Sequence, residues 1–421
     1  MSELRAAFKA FGSVYVARIA SAGLIFLSTV AVARVLGPAS FAAFTTVAAI
    51  ISVASGLLGP ALDTTLVRFA ASHKPGEGAS SVRVIFSAKL ILSALILVAG
   101  ILFSGLLSRL LLVTEATPEG DTLAMGLAFI TAALVTLWAT FQAYTQSKQQ
   151  FSLFAGLEFC AALLRLLMIG GAIFLGFKTV AVMVGCNTIA AFVLVIISLL
   201  AARIPKPIAS ADDIREAAPA LLAYAKWVIA ASCCTTVFQQ LDILYLAYMR
   251  FPEETIGHYG AAVRLMLAVE MAILTLFNVL LPKASALKGR VAFLAFMRQF
   301  RLMSGSLAIA MIPFVFLSGP ASRIIFGPGY EETGTFVVIL LSGSIVSLAF
   351  APAGAVIYAM GESHYIAILE ASKLLLFADA GWFAAEAFGA VGVAVAVSGV
   401  KAMISVTTYL IARREVGRMP L

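Results

Sequence analysis

"GSVYVARIASAGLIFLSTVAVARVLGPASF", residues 12–41, decides how the chain is read. The run up to "LGPAS" is long and apolar enough to cross a bilayer, which takes about 20 helical residues. Yet Arg18 stands about a third of the way along it. A charge inside a span costs roughly 2.5–3.5 kcal/mol on insertion scales, unless the protein itself receives it. Helical phase suggests how. At 100° per residue, Tyr15, Arg18, Ser21, Ser28 and Thr29 fall within an arc of roughly 140°, opposite a face of Ile, Leu, Val, Phe and Ala. The stripe should therefore face protein or a hydrated cavity and not lipid.

The rest of the chain is of the same kind. Of 421 residues, 62% are hydrophobic and 12% charged, and the mean hydropathy is +1.04. Soluble domains are about 45–50% apolar and about 25% charged. The sequence predicts an all-α polytopic membrane protein. Windows of span length place twelve helices, near 12–34, 41–60, 84–107, 122–145, 153–177, 179–202, 221–249, 257–281, 293–319, 334–359, 363–387 and 389–412. The breaks carry turn chemistry: "LGPAS", "TPEGD", "RFPEE", "GPGYEE" and "MGES". No cleavable signal is expected. "MSELRAAFKAFG" reads as a short amphipathic helix on the cytoplasmic surface.

Lys and Arg orient the chain. With both termini in the cytoplasm, the inner segments hold eighteen of them, Lys89 counted among these. The outer loops hold Arg34, Arg109, Lys178, Arg250 and Arg323 alone. The net charge of +8 is thus a topology signal and an attraction to anionic lipid, with no nucleic-acid partner implied. Outer loops of at most about 20 residues leave no room for the domain that membrane glycosyltransferases and ligases carry, so no enzyme is expected. The four cysteines, Cys160, Cys186, Cys233 and Cys234, lie in apolar runs without a CxxC pair. The three histidines, His73, His258 and His364, are scattered, so no metal site is expected.

The halves resemble each other at an offset near 215 residues. "ARVLGPASFAAFTTVAAI" before "DTTLVRFAA" parallels "YMRFPEETIGHYGAAVRL" before "FNVLLPKASA". Six helices per repeat predict parallel lobes related by an axis along the membrane normal. The expected organisation is an N-terminal lobe over 1–202, a cytoplasmic linker over 203–219 and a C-terminal lobe over 220–421, with a cavity between the lobes.

Twelve ionisable residues remain once the loops are assigned: Arg18, Arg165, Lys226, Arg264, Lys373 and Lys401 against Asp63, Glu158, Asp242, Glu270, Glu370 and Asp379. Asp63, Lys226 and Lys401 fall near span ends, where snorkelling is the plain reading. Glu370 and Lys373, three apart, suit a pair on one helix. In the seventh span Ser232, Thr235, Gln239 and Asp242 share an arc of roughly 80°. In the eighth, Arg264, Thr275 and Asn278 share one side, with Glu270 about 120° away. Arg18, Asp242 and Arg264 come from the helices that open each repeat. They are the candidates for a cavity that receives an anion. Pro313 and Pro352 are candidate bending points, with Pro60 at a span end.

"ARVLGPASFAAF" followed by "ALDTTLVRFAA", with "ETIGHYGAAVRL" and "LFNVLLPKASAL", resembles the polysaccharide transporters, the O-antigen and exopolysaccharide repeat-unit flippases of the multidrug/oligosaccharidyl-lipid/polysaccharide exporter superfamily. Ala42 stands where the family often has glycine. The resemblance implies a bacterial inner-membrane flippase moving undecaprenyl-pyrophosphate-linked oligosaccharide to the periplasmic leaflet by alternating access. Its partners would be membrane lipid, the lipid-linked oligosaccharide, a polysaccharide polymerase and chain-length proteins. It places substrate contacts at Arg18, Arg264 and Arg68, to which Tyr15 of the Arg18 stripe and Gln239 and Asp242 of the seventh span are added. Asp242 and Glu270 are candidates for proton or sodium coupling, or counter-ions to the arginines; no other cofactor is expected. The alternative in the same superfamily is a cation-coupled multidrug exporter, whose cationic substrates would favour acidic over basic cavity groups.

Overall fold

A computed structural model describes residues 2–70, 77–112, 118–202, 208–285, 287 and 289–419. Every regular element among them is a helix: α1 (Ser2–Gly56), α2 (Gly59–Ala70), α3 (Glu77–Leu111), α4 (Pro118–Ser147), α5 (Phe151–Phe174), α6 (Val180–Ala202), α7 (Ala211–Tyr248), α8 (Glu253–Ser285), α9 (Arg290–Phe326), α10 (Thr333–Phe350), α11 (Pro352–Ala359) and α12 (Ser363–Arg418). Without water to satisfy backbone groups, helix is the conformation such apolar runs adopt in lipid. Nine helices among the described residues are long and apolar enough to cross a membrane.

Two of those nine, Arg18–Ala70 and His364–Arg418, have 53 and 55 residues, more than twice what one crossing needs. Each contains a break. Gly37 in "LGPAS" has φ 72° and ψ 171°, and Gly389, the first residue of the predicted twelfth span, has φ 64° and ψ −151°. Both lie in the left-handed region that side chains avoid, so glycine permits the turn. Pro38 follows Gly37 and removes a further backbone donor. By contrast α9 runs unbroken through Pro313 and Pro320, while Pro352 opens α11 and divides the predicted tenth span at Ala351. The polar segment expected as linker is helical from Ala211 onward.

The chain divides into two compact units, Met1–Thr236 and Val237–Leu421, with the boundary inside α7. In the N-terminal unit α4 packs on α3, α6, α1 and α2, and α1 lies along α5. In the C-terminal unit α10 packs on α9, α12 and α8. The helix starts repeat: Glu77, Pro118 and Phe151 have counterparts at Arg290, Thr333 and Ser363, each about 215 residues further on.

Candidate functional site

The polar stripe of α1 finds its receivers on α5. Arg18 donates from Nε to Glu158 Oε2 at 3.3 Å, and its guanidinium lies 5.2 Å from the Phe154 ring centre. Seven residues further along α5, Arg165 Nη2 reaches Thr29 Oγ1 at 3.4 Å. Ser21, Ser28 and Thr29 are buried, while the Arg18 side chain stays 45% exposed. An arginine held on one side by a carboxylate and open on the other can still take a second anion. The side chain of Tyr15 lies outside the described residues, as do those of Arg5 and Lys9.

The C-terminal unit gathers a second group where α7 and α8 face each other. Asp242 is 5% exposed. Its Oδ2 accepts the Tyr259 hydroxyl at 2.8 Å and its Oδ1 accepts the Ile243 amide at 2.7 Å. Arg264, one helical turn and a residue beyond Tyr259, is part-buried, and its Nε is shielded from solvent with no hydrogen-bond partner among the described residues. Glu270 is bonded to Lys401 of α12, which makes that pair a packing link between helices. Gln239 is exposed. Thr275 and Asn278, the polar neighbours expected beside Arg264, lie outside the described side chains. The Glu370–Lys373 pair forms at 2.5 Å on one helix, and Lys373 also lies 4.6 Å from the Phe238 ring centre.

Lys89 corrects the charge count. Counting by loops assigns it to the cytoplasmic cations, but it is 0% exposed inside the N-terminal unit, 2.8 Å from Asp63 Oδ2 and 3.4 Å from the Thr136 carbonyl. It belongs to a helix long and apolar enough to cross a membrane, so it could not stay there unpaired. The signal was present: "KLILSALILVAG" runs on from it without a break. Arg203, Lys206, His73, Lys74 and Lys288 lie outside the described residues.

Arg68, on the last turn of α2, stacks on Tyr224 of α7 with its guanidinium carbon 4.2 Å from the ring centre. The start of α7 is clamped nearby. Ser210 and Asp213 form a reciprocal cap, with the Ser210 amide on Asp213 Oδ2 at 2.9 Å and the Asp213 amide on Ser210 Oγ at 3.2 Å. Arg83 closes a two-pronged bond on the same carboxylate. Arg83 and the Ser210 donors hold the Asp213 carboxyl well below the usual carboxylate range. The spacing Ser-x-x-Asp in "SADD" was the legible sign of this cap. Among the described residues no three His, Cys, Asp or Glu side chains converge as a metal ion would require. A cavity of about 1020 Å³ lies along α3 and α4 around Leu97, Ile101 and Phe129. Ile101 is 82% exposed, as on a lipid-facing groove, and none of the candidate substrate or coupling residues lines the cavity.

A family model described as "Polysaccharide biosynthesis protein" matches residues 8–288. No curated protein matches in sequence. Among solved structures, the lipid II flippase MurJ in an inward closed conformation superposes with a TM-score of 0.75 at 15% identity, over 95% of this chain and 87% of that one. A multidrug resistance MATE family transporter of the MOP superfamily, inward-facing, gives 0.74 at 15% identity over 94% of each chain. The MATE multidrug transporter DinF-BH gives 0.71 at 15% identity, over 96% of this chain and 94% of that one. At such identities the likeness is one of fold.

Proposed function

Because the chain belongs to the polysaccharide biosynthesis protein family, we propose that it is a flippase, carrying undecaprenyl-pyrophosphate-linked oligosaccharide units from the cytoplasmic to the periplasmic leaflet of a bacterial inner membrane by alternating access. With α1 and α12 each crossing twice around Gly37 and Gly389, and α8 crossing as well, the chain spans the membrane twelve times with both termini in the cytoplasm. The lobes are those expected from the repeat, over 1–202 and 220–421, joined by 203–219. The products serve O-antigen, exopolysaccharide or capsule assembly, beside a polymerase and chain-length proteins.

One observation supports an anionic substrate above the rest: Arg264, part-buried on α8, has a shielded, unpartnered Nε. A guanidinium presents its donors as a fork that fits phosphate, and a diphosphate would satisfy what the protein leaves open. Arg18, exposed on one side, supplies the second cation from the other lobe, and Arg68 meets the head group at the cytoplasmic mouth. Tyr15 and Gln239 complete the contacts. The acyl tail stays in lipid while the head group crosses. With the cytoplasm negative, each negative charge moved outward gains about 2.3 kcal/mol per 100 mV, so a diphosphate is driven in the required direction. Asp242, buried beside Tyr259, is the group to couple transport to a proton or sodium, with Glu270 a lesser candidate because Lys401 already holds it.

The buried Asp242 also favours a second reading, a cation-coupled multidrug exporter. One experiment separates the two. Arg18→Ala and Arg264→Ala should each abolish glycan export in cells while protein levels stay normal. Near wild-type export from both would remove the cationic path, and drug resistance lost on Asp242→Asn with glycan export intact would establish the exporter.

A further inference from the structure

A cavity of about 690 Å³ lies within the N-terminal unit among α2, α4 and the first half of α7, and Asp63, Arg68, Gln142 and Tyr224 line it. Two oxygens there are buried without a hydrogen-bond partner, Asp63 Oδ1 and Gln142 Oε1. Gln142 is 8% exposed. Buried acceptors left bare carry the full desolvation penalty of the group. A guest that donates hydrogen bonds would remove it.

We infer that this cavity is a sugar subsite, in which Asp63 Oδ1 and Gln142 Oε1 accept hydroxyl groups of the substrate's saccharide; the inference rests on the flippase reading and names where its glycan is held. Charge excludes the other guests. Asp63 is already neutralised by Lys89 at 2.8 Å, so a metal cation would lie beside an ammonium. An anion would face two bare acceptor oxygens. A neutral guest rich in donors remains, and the space far exceeds the ~30 Å³ of a water-sized one. The two acceptors come from different helices and can meet hydroxyls found on any pyranose ring, so this subsite accepts a class of sugars.

Arg68 at the rim fits the same substrate. Stacking on Tyr224 occupies the face of its guanidinium and leaves the edge donors for phosphate. A lipid-linked saccharide with its diphosphate at Arg68 would put its first ring near Gln142. Asp63, Lys89 and Gln142 thus form one device: the ion pair fixes a carboxylate oxygen at zero net charge, and the amide supplies the second acceptor.

The test compares two probes on the purified full chain in lipid nanodiscs: undecaprenyl pyrophosphate, and the same lipid carrying one N-acetylglucosamine. The wild type should bind the sugar-bearing lipid about fivefold to tenfold more tightly, the worth of one or two hydrogen bonds. Gln142→Leu, which leaves the Asp63–Lys89 pair intact, should erase that preference and leave affinity for the bare lipid unchanged. Gln142→Asn, which withdraws the amide by one methylene, serves in its place should the Leu variant not fold. A wild type without preference, or a preference that survives in the variant, overturns the subsite and leaves the flippase reading standing. Binding of the bare lipid that rises with sodium in the wild type and not in Gln142→Leu would show a cation at these oxygens and overturn it equally. A wild type that binds neither lipid removes the flippase reading, and the subsite with it.

Discussion

In the N-terminal unit Lys89 meets Asp63 at 2.8 Å and Arg18 meets Glu158 at 3.3 Å. In the C-terminal unit Asp242 takes its hydrogen bonds from a phenol and a backbone amide, and Arg264 Nε has none among the described residues. The two units share a repeat of helices, and the C-terminal one also holds closed pairs in Glu270–Lys401 and Glu370–Lys373. Lys89–Asp63 in the one and Arg264 in the other are nevertheless treated in opposite ways. A buried ion pair is fixed, because removing either member leaves a bare charge in a medium of low dielectric. A cation with an unused donor keeps that hydrogen bond for whatever arrives. The comparison separates charges that hold helices together from charges available to a ligand.

The sharpest way to break it is Lys89→Met. Asp63 would then lie buried and uncompensated, and stability should fall by about 3–5 kcal/mol, read as an early melting transition in detergent. The double variant Lys89→Met/Asp63→Leu should recover most of the loss, since neither charge remains. Equal melting of the single and double variants would show that the pair is not what holds α2, α3 and α4.

Next in size is Tyr259→Phe. It removes a donor to a buried carboxylate and should cost about 1.5–3 kcal/mol. Arg264→Met should come third, changing stability by less than about 1 kcal/mol, because a half-satisfied buried guanidinium contributes little to folding. The same variant should lose export. A large melting shift from Arg264→Met would mean that the arginine is structural, and the contrast between the units would disappear.

The smallest effect concerns the clamp at the start of α7. Asp213 is held below its ordinary range by Arg83 and Ser210. Its contribution is present above the unfolded carboxylate value of about 3.9 and is lost only as the pH falls through the lower folded value. Hydrogen exchange over residues 211–226 should therefore stay protected from pH 7 down to about 4. Fraying near pH 5 would show that the carboxylate is not held as described.

Much of this was legible from local pattern. Of the stripe, Ser21, Ser28 and Thr29 are buried as its phase required, while Arg18 stays partly open. The breaks fell at the glycines of "LGPAS" and at 389. Arg18 was visibly in need of a receiver, but Glu158 lies 140 residues away. Counting cations by loop misplaces Lys89 because it moves each one to the nearest end, and only Asp63 from the neighbouring helix makes a buried lysine tolerable. Gln142 gave no sign at all, since a glutamine on an amphipathic helix looks the same whether its amide is satisfied or bare.

The sequence by itself therefore determined the solvent, the helices and which side of each turns inward, because lipid enforces backbone satisfaction and sorts side chains at a period of 3.6. The tertiary structure alone decided which charges cancel and which stay open, because partners lie on different helices and their distances depend on how those helices pack.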